Sequence, residues 1–201
     1  RFVGDPNFVE IPLAKLTSKK YAHDVSKLIE NGEKAAVERL NPFYESKDTT
    51  QVSVVDKEGN AFSMTHSLGM PSGVITEGLG FMYNGCMGVF DPRPGRAGSL
   101  SPGKSRFSSI CPSILFDQGK LKMVIGAPGG THIVMGVLQA ILNVVDFKMS
   151  MQDAVSVPRF SGNSPLIDVS NRIPRFITEE LEKMGYPVCR LPQSYCFAWV
   201  H

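Results

Sequence analysis

Apolar and polar residues alternate through the middle of residues 50–56 (TQVSVVD) and again through 60–66 (NAFSMTH), with Glu58-Gly59 between them. A period of two in runs this short, split by a glycine turn, predicts a β-hairpin. A second pair of runs, 109–117 (SICPSILFD) and 121–128 (LKMVIGAP), flanks a Gln118-Gly119 turn and predicts another. Helical spacing appears elsewhere. Over 18–32, Ser18 can cap a helix whose stripe is Tyr21, Val25, Leu28 and Ile29, and Gly32 can close it. Residues 129–147 (GGTHIVMGVLQAILNVVDF) are apolar nearly all round, which predicts a buried helix. A short amphipathic helix over 150–160 is stopped by Pro158. A surface helix over 174–186 has Pro174 in its first turn and Gly185 at its end, and 194–200 (SYCFAWV) reads as a last strand. Residues 40–48 form a proline-containing loop. Residues 69–105 are rich in Gly and Pro with little periodicity, and long irregular stretches in compact domains are usually functional. Strand pairs plus one greasy helix predict an α/β fold of the α+β type, antiparallel sheet packed on helix.

Composition narrows the function classes. A length of 201 residues is enough for one domain with a real core. The net charge of +2 and the scattered basic residues give no electrostatic case for nucleic acid or an anionic membrane as partner. No run approaches the ~20 apolar residues of a membrane span. The four cysteines (Cys86, Cys111, Cys189, Cys196) and four histidines lack metal-ligand spacing, so no metal site is expected. Free thiols fit a reducing compartment. Neither end reads as a natural terminus, and a piece of a longer protein is expected.

One motif is a decoy. Residues 98–105 (GSLSPGKS) satisfy the P-loop pattern letter for letter, with Lys104 and Ser105 in the phosphate-binding places. The pattern acts only between a buried strand and a helix N-terminus. Here two prolines precede it, no helix pattern follows it, and Pro102 removes an N–H from the cradle, so no nucleotide site is expected.

The pair Thr49-Thr50 at the mouth of the first hairpin points to other chemistry. A threonine hydroxyl needs a base beside it. Its own α-amine, with a reference pKa near 7.7–8, serves if the residue is first in its chain. Thr49 becomes first if the Asp48–Thr49 bond is cut, and its hydroxyl can make that cut by attacking the Asp48 carbonyl. An oxyanion hole is also needed. The segment GAPGG (126–130) offers Gly129 and Gly130, whose backbone N–H groups can approach a substrate closely at the start of a helix.

In order along the chain, DTTQVSVVDKEGNAFSMT, SGVITEGLGFMYN, PGKSRFSSICPSI, GAPGG and SVPRF resemble the small subunit of the gamma-glutamyltranspeptidase family, and GDPNFVEIPLAKLTSKKYA resembles the end of its large subunit. The resemblance runs from about Gly4 to the C-terminus. It implies an N-terminal-nucleophile (Ntn) hydrolase with a four-layer αββα sandwich, of which this chain carries a part. It implies a division into 1–48, the end of the large-subunit region, and 49–201, the small-subunit region. It implies Thr49 as nucleophile, Ser67 as its hydrogen-bond partner, Gly129 and Gly130 as the oxyanion hole, and Ser108 and Ser109 as holders of the substrate carboxylate. No cofactor is implied. The implied partners are a small γ-glutamyl or other acyl-amide substrate and the large-subunit segment of the same precursor, with room for a higher oligomer. Family members are usually exported, to the periplasm or outside; the cysteines fit the cytoplasm.

Departures from the family pattern fall at recognition positions. Gln51 stands where the family has a histidine after the threonine pair. Gly69 replaces an asparagine, in a shortened loop. Cys86 and Val89 occupy the places of the glutamine and aspartate that grip the glutamyl ammonium. The implied activity is therefore amide hydrolysis or acyl transfer with an altered pocket; the alternative is a non-catalytic binding protein of the same fold.

Overall fold

The computed structural model describes residues 4–35, 48–195 and 197–201. The proline-containing loop expected over 40–48 lies outside them apart from Asp48, as does Cys196. The chain forms two compact units: Arg1–Leu40 with Cys86–Ser108, and Asn41–Gly85 with Ser109–His201.

The first unit holds a short helix α1 (Leu13–Leu16) and the expected helix, α2 (Lys19–Glu30). Ser18 Oγ caps α2 by accepting from the Tyr21 N–H at 3.1 Å, and Gly32 leaves it at φ 78°. The helix buries no residue; Leu28 and Ile29 remain exposed. The P-loop lookalike is a turn held from the opposite side. Buried Asp5 accepts from the Ser105 N–H at 2.7 Å and the Asn7 N–H at 2.9 Å. Those backbone bonds, Ser105's above all, hold its carboxyl below the usual carboxylate range. A carboxylate thus occupies one of the N–H groups that a phosphate would need, and Lys104 Nζ lies over the Phe8 ring.

The second unit carries two antiparallel hairpins where they were expected. β1 (Thr49–Val55) pairs with β2 (Ala61–Ser67), and β5 (Ser113–Asp117) pairs with β6 (Lys120–Ile125). The first turn is tied by Asp56, whose carboxylate accepts from the Asn60 side chain and N–H at 2.7 and 2.8 Å. Those bonds, the side-chain one first, depress its pKa. β5 begins just after Pro112, which cannot donate into a ladder. The irregular stretch expected over 69–105 hides a further hairpin, β3 (Pro71–Ile75) with β4 (Met82–Asn84). Its strands are short, shifted in register, and interrupted by Gly73 at φ 75°, so no period of two survives in the sequence.

Helix α3 (Ile133–Val145) follows a single 3-10 turn at Gly130–His132. The expectation that it is buried on all sides is corrected. Ile133, Gly136, Val137, Ala140 and Val144 face the core, whereas Val134, Leu138, Leu142 and Val145 are 39–46% exposed. The core joins β6, α3, Ala154 of α4 (Met151–Ser156), and Ala198 and Val200 of the tail. The chain then makes β7 (Phe160–Ser161) and β8 (Ile167–Ser170), the expected helix α5 (Arg175–Lys183), and β9 (Val188–Leu191), with β8 and β9 parallel.

Among the described residues the last strand is thus Val188–Leu191, and those within 194–200 are not in a strand as expected. Phe197 sits at φ 71°, which breaks an extended run. Only the tip beyond it lines up with the strand-to-helix turn, through Trp199 N–H to Pro128 O at 2.9 Å and a reciprocal pair between Gly126 and His201. Pro128 has no N–H with which to continue the ladder.

The faces of the first hairpin run against the usual rule. The better-buried positions are Thr49, Gln51, Ala61, Ser63, Thr65 and Ser67, nearly all polar, while Val52, Val54, Phe62 and Met64 are 38–52% exposed. The half-buried polar face has its groups hydrogen-bonded to one another around Thr49.

Candidate active site

Register brings the first two candidates together. Thr49 is directly opposite Ser67 in the β1–β2 ladder, and their hydroxyls lie 2.8 Å apart. Ser67 Oγ also accepts from the Gly69 N–H at 2.9 Å. With that lone pair engaged, the serine proton can point at Thr49 Oγ1 and leave the threonine proton for a base. Gly69 is buried at φ 68°, a left-handed backbone that glycine and asparagine both tolerate. The bond it makes comes from the backbone, so it does not depend on a side chain at this position.

The residue before Thr49 is held as well. The Asp48 carbonyl accepts from the Leu68 N–H at 3.3 Å, while the Leu68 carbonyl accepts from Met70 and Gly85 at 2.8 and 3.1 Å. A donor on the carbonyl that Thr49 would attack is the arrangement that stabilises developing negative charge there. Leu68 was not a candidate from sequence, because a backbone donor leaves no mark in residue type.

The second cluster is the strand-to-helix turn. Gly129 has φ 144° and Gly130 φ 57°, both in glycine's territory. Gly129 packs so closely on Ala198 that an added Cβ would lie 2.5 Å from the Ala198 Cα. Ser109 Oγ donates to the Gly130 carbonyl at 2.7 Å, so this hydroxyl braces the turn. His132, buried beneath the turn, has Nδ1 3.2 Å from Ser161 Oγ and its ring edge-on to Phe197.

The two clusters share the second unit and are joined by side chains. Gln51 Nε2 donates to Ser63 Oγ at 3.0 Å, and Ser63 Oγ donates to the carbonyl of Ile125, the last residue of β6, at 3.1 Å. Gly126 rests against the Gln51 amide, where a Cβ would overlap it. In sequence, Gln51 had stood out only as a departure from the family pattern. A cavity of 330 Å³ between β6 and helices α3 and α4 is lined by Met123, Ile125, Ala140, Val144 and Met151 among others, and by none of the candidate residues.

Ser108 and Cys86 belong to the first unit. Ser108 is exposed; Cys86 is buried in a 3-10 turn, Cys86–Val89. Close to that turn, the Asp91 carboxylate is occupied. Arg93 donates from Nε and Nη2 at 3.1 and 3.0 Å and from its N–H at 2.9 Å, and these bonds, the guanidinium first, lower the Asp91 pKa. Among the described residues no cluster of three or more His, Cys, Asp or Glu is placed to hold a metal ion, and no helix is long and apolar enough to cross a membrane.

The gamma-glutamyltranspeptidase family model matches residues 1–201. The chain is 36% identical over 192 residues to the acylase ACY 1 proenzyme of Pseudomonas sp. (strain SE83), covering 94% of this chain and 34% of that protein. It is 32% identical over 202 residues to the glutathione hydrolase proenzyme of Pseudomonas aeruginosa, covering 92% and 36%. It thus spans about a third of the length of these relatives. Among solved structures, the cephalosporin acylase of Bacillus halodurans superposes with a TM-score of 0.84 at 25% identity, over 99% of this chain and 36% of that one. Gamma-glutamyltranspeptidase of Helicobacter pylori gives 0.68 at 32% identity, over 75% and 88%. A threonine at the head of a hairpin, its hydroxyl partner, a diglycine turn and a match along the full chain converge: this chain belongs to the gamma-glutamyltranspeptidase family of Ntn hydrolases.

Proposed function

We propose that the full-length protein is a self-processing N-terminal-threonine amidohydrolase and acyltransferase, in which Thr49 is first the agent of its own release and then the nucleophile. The observation that carries this reading is the hydroxyl pair Thr49–Ser67 beside an Asp48 carbonyl that already accepts an N–H bond. In maturation, Thr49 Oγ attacks the Asp48 carbonyl carbon. The C–N bond breaks, the hydroxyl proton passes to the departing amine, and an ester results. Water hydrolyses the ester to the Asp48 carboxylate and a free Thr49 with its α-amine. In turnover that amine takes the Oγ proton as Oγ attacks the substrate amide, and the Gly129 and Gly130 N–H groups hold the oxyanion. The leaving amine takes the proton, and water or an acceptor amine then attacks the Thr49 ester. Ser67 orients the nucleophile. Ser109 steadies the turn, and Ser108 is assigned to the substrate carboxylate by its match to the family motif. The large-subunit segment of the same precursor is the partner that this reading supplies for the exposed Val52, Val54, Phe62 and Met64.

The acyl group follows from what is missing. Cys86 and Val89 hold no charge at the positions matching the ammonium grip, and Asp91 is already committed to Arg93. A charge-assisted hydrogen bond contributes about 1.5–3 kcal/mol, so a γ-glutamyl substrate forgoes roughly ten- to a hundredfold in binding. The preferred acyl group is then one of the same length without the α-ammonium, a glutaryl rather than a γ-glutamyl chain. Relatives named for acylase activity stand beside those named for glutathione hydrolysis at similar identity, which supports a pocket of this kind. The test uses the full-length protein. Mass spectrometry is expected to find a fragment beginning at Thr49, and kcat/KM for glutaryl-p-nitroanilide is expected to exceed that for γ-glutamyl-p-nitroanilide by about tenfold or more. The reverse order sinks the assignment of the acyl group. A matured protein inert on every acyl anilide favours the non-catalytic binding protein instead.

A further inference from the structure

We infer that Gln51 is a positioning residue, whose side-chain amide fixes the strand bearing Thr49 against the turn bearing Gly129 and Gly130. The inference rests on Thr49 being the nucleophile.

The need for such a residue comes from the sheet topology. β1–β2 and β5–β6 are separate two-stranded sheets among the described residues, so no backbone ladder ties the nucleophile strand to the turn that follows β6. Catalysis by Thr49 nevertheless requires Oγ1 and the glycine N–H groups to hold one spacing, and a displacement of about 1 Å can cost roughly a hundredfold. Side chains have to supply that alignment.

Gln51 is placed to do so. It lies two residues after Thr49 on the same strand face, opposite Thr65 in the ladder. Its Oε1 accepts from Thr65 Oγ1 at 2.5 Å, and its Nε2 lies within 3.1 Å of Val52 O, Ser53 Oγ and Ser63 Oγ. The amide is therefore fixed at both ends, and its orientation is set by a hydroxyl donor on one side and acceptors on the other. Ser63 passes the constraint on, because its proton goes to the Ile125 carbonyl. The next residue, Gly126, lies on the Gln51 amide itself, which excludes any side chain there. The relay runs β1, β2, β6, turn, and each link is a single hydrogen bond or van der Waals contact.

The test needs no knowledge of the substrate, because maturation is intramolecular. In the full-length precursor, Gln51→Met keeps the length of the side chain and removes all its hydrogen bonds. Ser63→Ala removes the relay hydroxyl, and with it both the bond from Gln51 and the bond to the Ile125 carbonyl, while the other Gln51 contacts stay; Thr65→Val is compared with Thr65→Ser. The readouts are the first-order rate of cleavage before Thr49, and kcat and KM on whichever of glutaryl- and γ-glutamyl-p-nitroanilide the wild type turns over faster. Gln51→Met is expected to slow cleavage and kcat by about ten- to a hundredfold with KM changed by less than about twofold. Ser63→Ala is expected to move both rates in the same direction by a smaller factor. The double variant is expected to be no slower than Gln51→Met alone, since both act in one link. Thr65→Ser is expected to retain the rate that Thr65→Val loses. Wild-type rates in Gln51→Met, or a loss confined to KM, overturn the inference. Should Gln51→Met fail to fold, wild-type rates in Ser63→Ala overturn it equally. Thr49→Ala separates the two levels. If that variant is still cut, the nucleophile assignment itself fails; if it stays intact while Gln51→Met behaves as wild type, only the role of Gln51 falls.

Discussion

Thr49→Ala in the full-length precursor is expected to leave the Asp48–Thr49 bond intact and to abolish acyl transfer, a loss of about 10⁴-fold or more, as when other enzymes lose their nucleophile. The size follows from the geometry. Ser67 Oγ is the neighbouring hydroxyl at 2.8 Å, but it sits on the opposite strand and already accepts from Gly69. Ser67 is not preceded by the Asp48 carbonyl, and cutting that bond cannot give it an α-amine, so it cannot stand in for Thr49. Thr49→Ser, which keeps Oγ and the amine, is expected to mature and turn over with a much smaller loss. Intact-mass measurement and N-terminal sequencing decide the first half of this, and an acyl anilide assay the second. A fragment starting at residue 49 from the alanine variant would falsify the self-cleavage chemistry.

How far the sequence revealed this site depends on what kind of interaction is involved. The alternation within TQVSVVD and NAFSMTH placed both strands to within one residue, because a two-residue period in β-branched and aromatic residues has few other readings. From that alternation, however, the apolar face would be assigned to the core, and here Val52, Val54, Phe62 and Met64 lie on the exposed face while hydroxyls and an amide are turned inward. Periodicity reports that two faces differ, not which partner each one meets. The same limit applies to α3, read as buried throughout and found with Leu138 and Leu142 open. Thr49, Ser67, Gly129 and Gly130 could be named as candidates because the proposed chemistry needs particular side chains there, or none at all. Leu68, acting through its N–H, was invisible, and the role of Gln51 required the register Gln51↔Thr65 to be known. Residues 194–200 misled because an apolar run carries no sign of the left-handed Phe197 within it.

Gly129→Ala is expected to cost about 10²–10³-fold in kcat, the loss seen when an oxyanion donor is displaced, and to cost far more than Gly130→Ala. Both substitutions keep the backbone N–H, so the difference isolates its position. At φ 144° Gly129 is in a region closed to L side chains, and its new Cβ would meet the Ala198 Cα, Cβ and N at 2.5, 2.9 and 3.1 Å. Ala198 is fully buried, and the residues after it are tied to the turn through Trp199 and His201, so it has nowhere to retreat. The turn must shift instead, carrying the N–H groups with it. Gly130 at φ 57° is in the left-handed helical well, where an alanine costs roughly 1–2 kcal/mol but keeps its backbone geometry. The discriminating measurement is kcat for both variants, together with Gly129→Ala combined with Ala198→Gly. Removing the Ala198 methyl relieves one of the three close contacts and is expected to recover part of the rate, never all of it, because the backbone contacts and the φ strain remain. Wild-type kcat in Gly129→Ala would show that the turn holds no oxyanion, and equal losses at Gly129 and Gly130 would show that the contact with Ala198 does not set the position of the N–H groups.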